Sequence, residues 1–365
     1  VGRRPPHRRL RRLAAGLAIV ALVGSGCSRI DPATGDPRAG EILARQLNDA
    51  VRDNNQVAFL QNFSGDQAAR TLAQRWYRVL SVSAGTVDVP PGGSLLETTW
   101  TLPGDRDDAK SILATSLGSR DGAPVITGVR TTTSMPIWAI EDVEVTPAVH
   151  GSVVSSGLTS QQRVEAARLL NAAVAAVQKA GVVSPKARWA GSLVVEEPST
   201  APNFRTVTGM DADSTAGVTT CDDGTARIVM SPLVGDDWFA ETLVHEAVHV
   251  ATDSPCGNGA VWAAEGLAEW VTERTYPDVA RANADLVRDY LRTNDLPDDI
   301  PDSVSSPTDY ALAAVAVEQV FAHLGHDRAV DHLDAFMRRG KVSDDDYTRI
   351  AKWYTAELAR LKKSA

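Results

Sequence analysis

Residues 239–251 read Phe-Ala-Glu-Thr-Leu-Val-His-Glu-Ala-Val-His-Val-Ala, and the centre of that run, His245-Glu246-Ala247-Val248-His249, governs how the remaining chain is read. On a helix two histidines four apart lie on one face a turn from each other, so both imidazoles can reach one metal ion. Glu246 stands roughly 100° round the axis, close enough to act on a water beside that ion without ligating it. The pattern is that of metal-assisted hydrolysis, and with only 7 histidines in 365 residues the pairing is selective. Ahead of it Asp236 or Asp237 is expected to cap the helix, and Phe239, Leu243, Val244, Ala247, Val248 and Val250 to form its buried side. A core helix whose histidines merely hydrogen-bond is the plainer reading, but two ionisable rings and a carboxylate on an apolar helix are costly to bury without a partner.

Two histidines do not complete a catalytic zinc site, which takes three protein ligands and leaves a fourth position to water. Further donors lie in Trp262-Ala263-Ala264-Glu265-Gly266-Leu267-Ala268-Glu269-Trp270; the 15 residues between His249 and Glu265 allow a turn through Ser254, Pro255, Cys256, Gly257 and Asn258 and a second helix packed back on the first. Here the chain resembles the gluzincin metallopeptidases, in particular the thermolysin-like peptidase MA group, whose third ligand is the Glu of a downstream Glu-Gly-x-Ala segment. The match falls on Glu265, Gly266 and Ala268. The resemblance implies one zinc ion on His245, His249 and Glu265, with Glu246 as general base. Gly266, a weak helix former, fits a backbone passing close to the metal helix.

Glu269 lies four residues beyond Glu265, on the same helical face. Ligating histidines give their other ring N–H to a carboxylate or carbonyl, and the resemblance assigns that acid to the position of Glu269, where Glu replaces the commoner Asp. Asp253, four after His249, competes for the same part. The resemblance also points to Tyr310, near the start of a C-terminal helix, as the donor to the oxyanion of the tetrahedral intermediate; a core tyrosine is its plainer reading. A metzincin site is excluded, because Val250 to Pro255 supply neither its glycine nor a third histidine. His323, His326 and His332 flank a helix end and read as solvated histidines. The run Ala226 to Ser231 reads as a strand, and in zincins the last strand before the metal helix is a sheet edge that pairs with substrate main chain. No Gly-x-Met-x-Asn exopeptidase segment is found, which favours an endopeptidase.

The start of the chain reads as a targeting segment. Six arginines, at 3, 4, 8, 9, 11 and 12, precede an apolar stretch from Leu13 to Val23 that is short for a membrane span and has the charge order of a secretory signal. Val23-Gly24-Ser25-Gly26-Cys27 resembles a bacterial lipobox, in which Cys27 is lipidated and becomes the mature N-terminus; Gly24 departs from the usual Leu, Val or Ile. Unlipidated secretion is the alternative, and the paired arginines also allow twin-arginine export. Loss of the six leader arginines takes the net charge from −9 to −15, so nucleic acid is not an expected partner. Of the three cysteines Cys221 and Cys256 then remain, and an even pair in an exported protein argues for a disulfide round the whole metal helix. Thiolate ligation is the weaker alternative.

The expected fold class is α+β: a small α+β cone-like domain followed by a zincin-like catalytic domain with a small sheet, a metal-binding helix and a helical C-terminal part. The expected division is a signal peptide at 1–26, a lipidated N-terminus and linker at 27–37, an accessory domain at 38–150 and a metallopeptidase domain at 155–365, with the Ser/Gly-rich segment from Gly151 to Thr159 between them. Thr159-x-x-Gln162 should box the start of a helix from Gln161 to Ala180, closed by Gly181, with a strand from Leu193 to Glu196 after it. The first domain reads as helices through Trp76 and Tyr77, then strands including Leu95 to Leu102, Ser111 to Ser116 and Trp138 to Val145. It resembles the polyketide-cyclase-like fold.

The expected function is a lipid-anchored extracytoplasmic zinc metallopeptidase of a bacterial cell membrane, acting on a peptide or protein. Two other classes remain open: a catalytically silent zincin-fold lipoprotein that binds or scaffolds in the envelope, and a zinc amidase of cell-wall peptides.

Overall fold

A computed structural model of the chain describes residues 37–64, 67–83, 85–89, 95–131, 135–222, 225–339 and 343–364. The segments read as a leader and as a lipobox at Cys27 lie outside them. The fold is α+β with two sheets. Three helices come first, α1 (Pro37–Arg52), α2 (Gln56–Leu60) and α3 (Gln67–Ser83), followed by an antiparallel meander of β1 (Thr86–Asp88), β2 (Leu95–Trp100), β3 (Ala109–Arg120) and β4 (Ala123–Thr131). A short α4 (Ile137–Ile140) leads into the second sheet.

That sheet is built from β5 (Glu144–Ala148) and β6 (Gly151–Ser155), then, after α5 (Ser160–Ala180), β7 (Leu193–Glu197), and, after α6 (Ala201–Thr208), the hairpin β8 (Gly217–Asp222) and β9 (Thr225–Met230). Spatial order is β5-β6-β7-β9-β8; the central three strands are parallel, and β5 and β8 are antiparallel at the two edges. All helices after it follow in sequence: α7 (Asp236–Thr252), a 3₁₀ turn at Ser254–Cys256, α8 (Val261–Thr275), α9 (Pro277–Thr293), α10 (Pro307–Leu324), α11 (His326–Arg339) and α12 (Asp344–Lys362).

Side chains alternate across a strand, and here both faces are buried. Val153, Leu193, Val195, Ile228 and Met230 face a core shared with α5, α7, α8 and α10. Their neighbours Val154, Val194, Val218 and Val229 face a second core made by Trp76, Trp100, Leu102, Ile137, Trp138 and Phe204. The first module therefore covers one face of the second sheet, and burying that face joins the two modules.

Several local expectations hold. Helix α5 begins in a capping box of Thr159 and Gln162 and ends at Gly181 in the left-handed conformation (φ +65°). Strand β7 falls where Leu193 to Glu196 predicts it. Others are corrected. The segment expected at the domain boundary from Gly151 contains β6, all five of whose residues are buried in the second sheet. Trp138 to Val145 is not one strand: Pro136 starts a helical turn that inserts Trp138 against Trp76 and Trp100, and pairing resumes only at Glu144 in the other sheet. Tertiary burial there overrides the β propensity of Ile and Trp. Helix α7 is capped by Gly235, so neither Asp236 nor Asp237 is the N-cap. Strand β9 is interior, not an edge: the hairpin turns β8 outward, and β8 takes the edge.

Candidate metal centre

The fold converges on α7. Leu243, Val244, Ala247, Val248 and Ala251 are all at most 1% exposed, so the helix is enclosed and its polar residues are carried into the core with it. His245, Glu246 and His249 are buried, and the two imidazole centroids are 5.0 Å apart. Helix α8 packs back on α7 and brings in Glu265, whose Oε2 lies 3.1 Å from His245 Nε2 and 3.3 Å from His249 Nε2. One ligand atom from each of the three residues falls within 4.8 Å of the others, the only such group of histidine, cysteine and acidic residues among those described.

The surroundings hold each ring. His245 Nδ1 is 3.2 Å from Glu269 Oε2, where the family resemblance assigns an acid. Glu269 Oε1 in turn accepts from Asn283 Nδ2 on α9 at 2.5 Å, and the same amide donates to Glu273 at 2.8 Å. His249 Nδ1 faces Ser254 Oγ at 3.0 Å. Asp253, the rival for that position, is instead the left-handed C-cap of α7 (φ +60°) and pairs with Arg106 at 2.9 Å. Glu246 is held from the edge strand: the Thr219 hydroxyl donates to its Oε2 at 2.7 Å.

Tyr310 stands in the first turn of α10, which Ser306 and Asp309 cap reciprocally. It is buried, and its ring packs edge-on to His245 with centroids 5.8 Å apart. The glycine behind Glu265 has a reason other than the expected one. A Cβ on Gly266 would sit 2.5 Å from Ala313 O, so the backbone that approaches it belongs to α10, not to α7. Cys221 on β8 and Cys256 in the 3₁₀ turn form a disulfide that encloses α7. The C-terminal histidines are elsewhere: His323 stacks on Trp353, His326 meets Gly181 O and His332 meets Arg328 O.

Thr219, Ser254 and Asn283 were not legible in the sequence. Ser254 sits in the turn already expected after the helix, and its nearness to His249 is a weak local signal. Thr219 and Asn283 are brought in by strand pairing and helix packing.

The charges of the site are strongly coupled. Burial opposes charge on Glu265, yet the two imidazoles outweigh it and hold the carboxyl down at about 2. Burial likewise opposes a charged His245, and the hydrogen bonds to Glu265 and Glu269 outweigh it, raising the ring to about 10. Burial pushes Glu246 above the ordinary carboxylate range, against the pull of the histidines and the Thr219 hydrogen bond. Glu246 Oε1, His249 Nε2 and Glu265 Oε1 are buried with no hydrogen-bond partner. Three carboxylates round two imidazoles, with orphaned donor atoms among them, suit a divalent ion that accepts nitrogen and oxygen ligands.

No family model matches the chain, and no curated protein or solved structure matches it.

Proposed function

We propose that the chain is a zinc-dependent metallopeptidase with a zincin-like catalytic unit, lipid-anchored at Cys27 on the extracytoplasmic side of a bacterial membrane. The observation that carries this reading is the buried set of His245, His249 and Glu265 with Glu246 beside it. Zinc is the ion that donor set fits best: two imidazoles and one carboxylate are a three-ligand catalytic set. Once bound, it supplies Lewis acidity, lowering the pKa of a water and polarising a carbonyl.

The protein's own groups do the rest. Glu246, its pKa raised by burial, is suited to take a proton from the attacking water and return it to the leaving amine. The Thr219 hydroxyl fixes that carboxylate in one orientation. Glu269 and Ser254 fix the two rings, so their Nε2 atoms face Glu265. Tyr310, whose ring packs on His245, is the donor we assign to the developing oxyanion. Strand β8 pairs only with β9 among the described strands, and its Thr219 touches Glu246, so an extended peptide added along that edge would lie beside the base.

The experiment is cleavage of a peptide library by the zinc-loaded protein and by Glu246→Gln. Cleavage by the first and its loss by several orders of magnitude in the second is expected. Stoichiometric zinc with no cleavage in either refutes the peptidase.

A further inference from the structure

The first module does more than cover the sheet. The loop between β2 and β3 runs beneath the starts of β7 and β9 and reaches the far end of the metal helix. Ser192 Oγ donates to Gly104 O at 3.2 Å, and Gly104 (φ +114°) lies so close to β7 that a Cβ there would be 2.3 Å from Leu193 O. The Asp105 side chain, fully buried, accepts from the Arg227 guanidinium at 2.6 and 2.9 Å, while Glu196 accepts from it at 3.1 Å and the Trp100 ring lies 5.1 Å from its centre. The Thr225 hydroxyl lies 3.1 Å from the carbonyls of both Asp107 and Asp108. The loop is thereby locked on β9, the strand that feeds α7.

Beyond this lock the loop extends Arg106. Its Nη1 is 2.9 Å from Asp253 Oδ2, and each of the two side chains is only 19% exposed. Asp253 is the residue that ends α7, and it does so at φ +60°, in the left-handed region uncommon for a non-glycine residue. The next residue, Ser254, meets His249 Nδ1 at 3.0 Å, and two further on Cys256 is bonded to β8. The four residues Arg106, Asp253, Ser254 and His249 thus connect the first module to a ring of the candidate metal centre.

We infer that Arg106 is a positioning residue of the metal centre: its ion pair with Asp253 holds the left-handed end of α7, and through it Ser254 against His249. The inference rests on the metal-centre reading above. A partly buried carboxylate left without its cation repels its surroundings and seeks water, so removing Arg106 would let the turn open and release the ring. The hydrogen bond on the far nitrogen orients a ligating histidine, so that release weakens metal binding even though Arg106 touches neither ligand nor metal. The first module is then part of the catalytic scaffold, not an appendage.

The test uses the full chain, wild type against Arg106→Ala, Arg106→Lys and Asp253→Asn. Zinc affinity is read by competition with a chromophoric chelator, and the ligand field by the visible spectrum of the cobalt-loaded protein. Arg106→Ala should bind zinc about tenfold more weakly, the lower end of the loss for residues behind a ligand. Its cobalt spectrum should shift, and Arg106→Lys, which keeps the charge, should recover most of the affinity. Zinc affinity of Arg106→Ala within twofold of wild type overturns the inference, as does a lysine variant no better than alanine. Where Arg106→Ala does not fold, Asp253→Asn decides by the same thresholds, about tenfold weaker or within twofold. A wild-type chain that binds no zinc is a separate result, and it refutes the metal centre itself.

Discussion

Gly266→Ala is a severe test of how α8 is seated, because the change adds one methyl group directly behind Glu265. In the structure that methyl would lie 2.5 Å from Ala313 O, 2.8 Å from Ala313 C and 2.9 Å from Val317 Cγ2, where ordinary contact begins at 3.4 Å. Val317 can turn aside, but a helix carbonyl cannot, so α8 and α10 must part by most of an ångström. Overpacking of this kind costs about 1–3 kcal/mol, and a backbone obstacle puts it at the upper end. Alanine returns about 1 kcal/mol in helix propensity. The net loss is then about 1–2 kcal/mol, which lowers the melting temperature by a few degrees in a chain of this size. Glu265 precedes the substituted residue, so the same movement draws its Oε2 away from the two imidazoles it now approaches at 3.1 and 3.3 Å. Thermal denaturation of the metal-free protein followed by circular dichroism reads the first effect, and zinc competition the second. A variant that melts at or above the wild-type temperature and binds zinc equally well would refute the packing argument on both counts.

Thr219→Val keeps a β-branched side chain on β8 and removes the donor to Glu246 Oε2, whose partner oxygen already has none. A hydrogen bond to a charged group contributes about 1.5–3 kcal/mol, so kcat/KM should fall about ten- to a hundredfold at neutral pH and its acidic limb should move up by about one to two units; an unmoved limb removes Thr219 from the account. Asn283→Ala frees Glu269 Oε1 without touching the candidate zinc ligands and should weaken zinc about tenfold, whereas unchanged affinity would make the Asn283 contact a matter of packing alone. Glu197 is a separate probe at the end of β7: burial raises its carboxyl to about 7, and its Oε1 has no partner. Between pH 4.5 and 7 the folded chain binds this proton more tightly than the unfolded chain, so stability falls as pH rises through that window, by about 1–3 kcal/mol after allowance for partial exposure. Glu197→Gln should flatten that loss in urea denaturation, and an equal difference from wild type at pH 4.5 and pH 8 would contradict it.

The site was legible where its information is local. His245, Glu246 and His249 are set by helical spacing, and Glu265 and Glu269 by spacing on the next helix, so the sequence places all five within a turn or two of each other once α8 folds back on α7. Helix α5 was legible because Thr159, Gln162 and Gly181 are caps with fixed offsets. What was hidden depends on pairing between distant segments. Nothing near Thr219 says that its strand is an edge; that follows from the direction in which the β8-β9 hairpin turns. The identity of the backbone at Gly266 was likewise out of reach, since α10 lies more than 40 residues on. The Ser/Gly-rich start of β6 read as a domain boundary because composition reports solvation on average, while burial on two faces is a property of the finished sheet.

The central claim is that His245, His249 and Glu265 together hold one zinc ion, and it is tested most directly by metal content after zinc loading and exhaustive dialysis. One zinc per wild-type chain and its loss from Glu265→Gln is the expected result. A wild-type chain without zinc, or a Glu265→Gln chain that retains it undiminished, would contradict the claim.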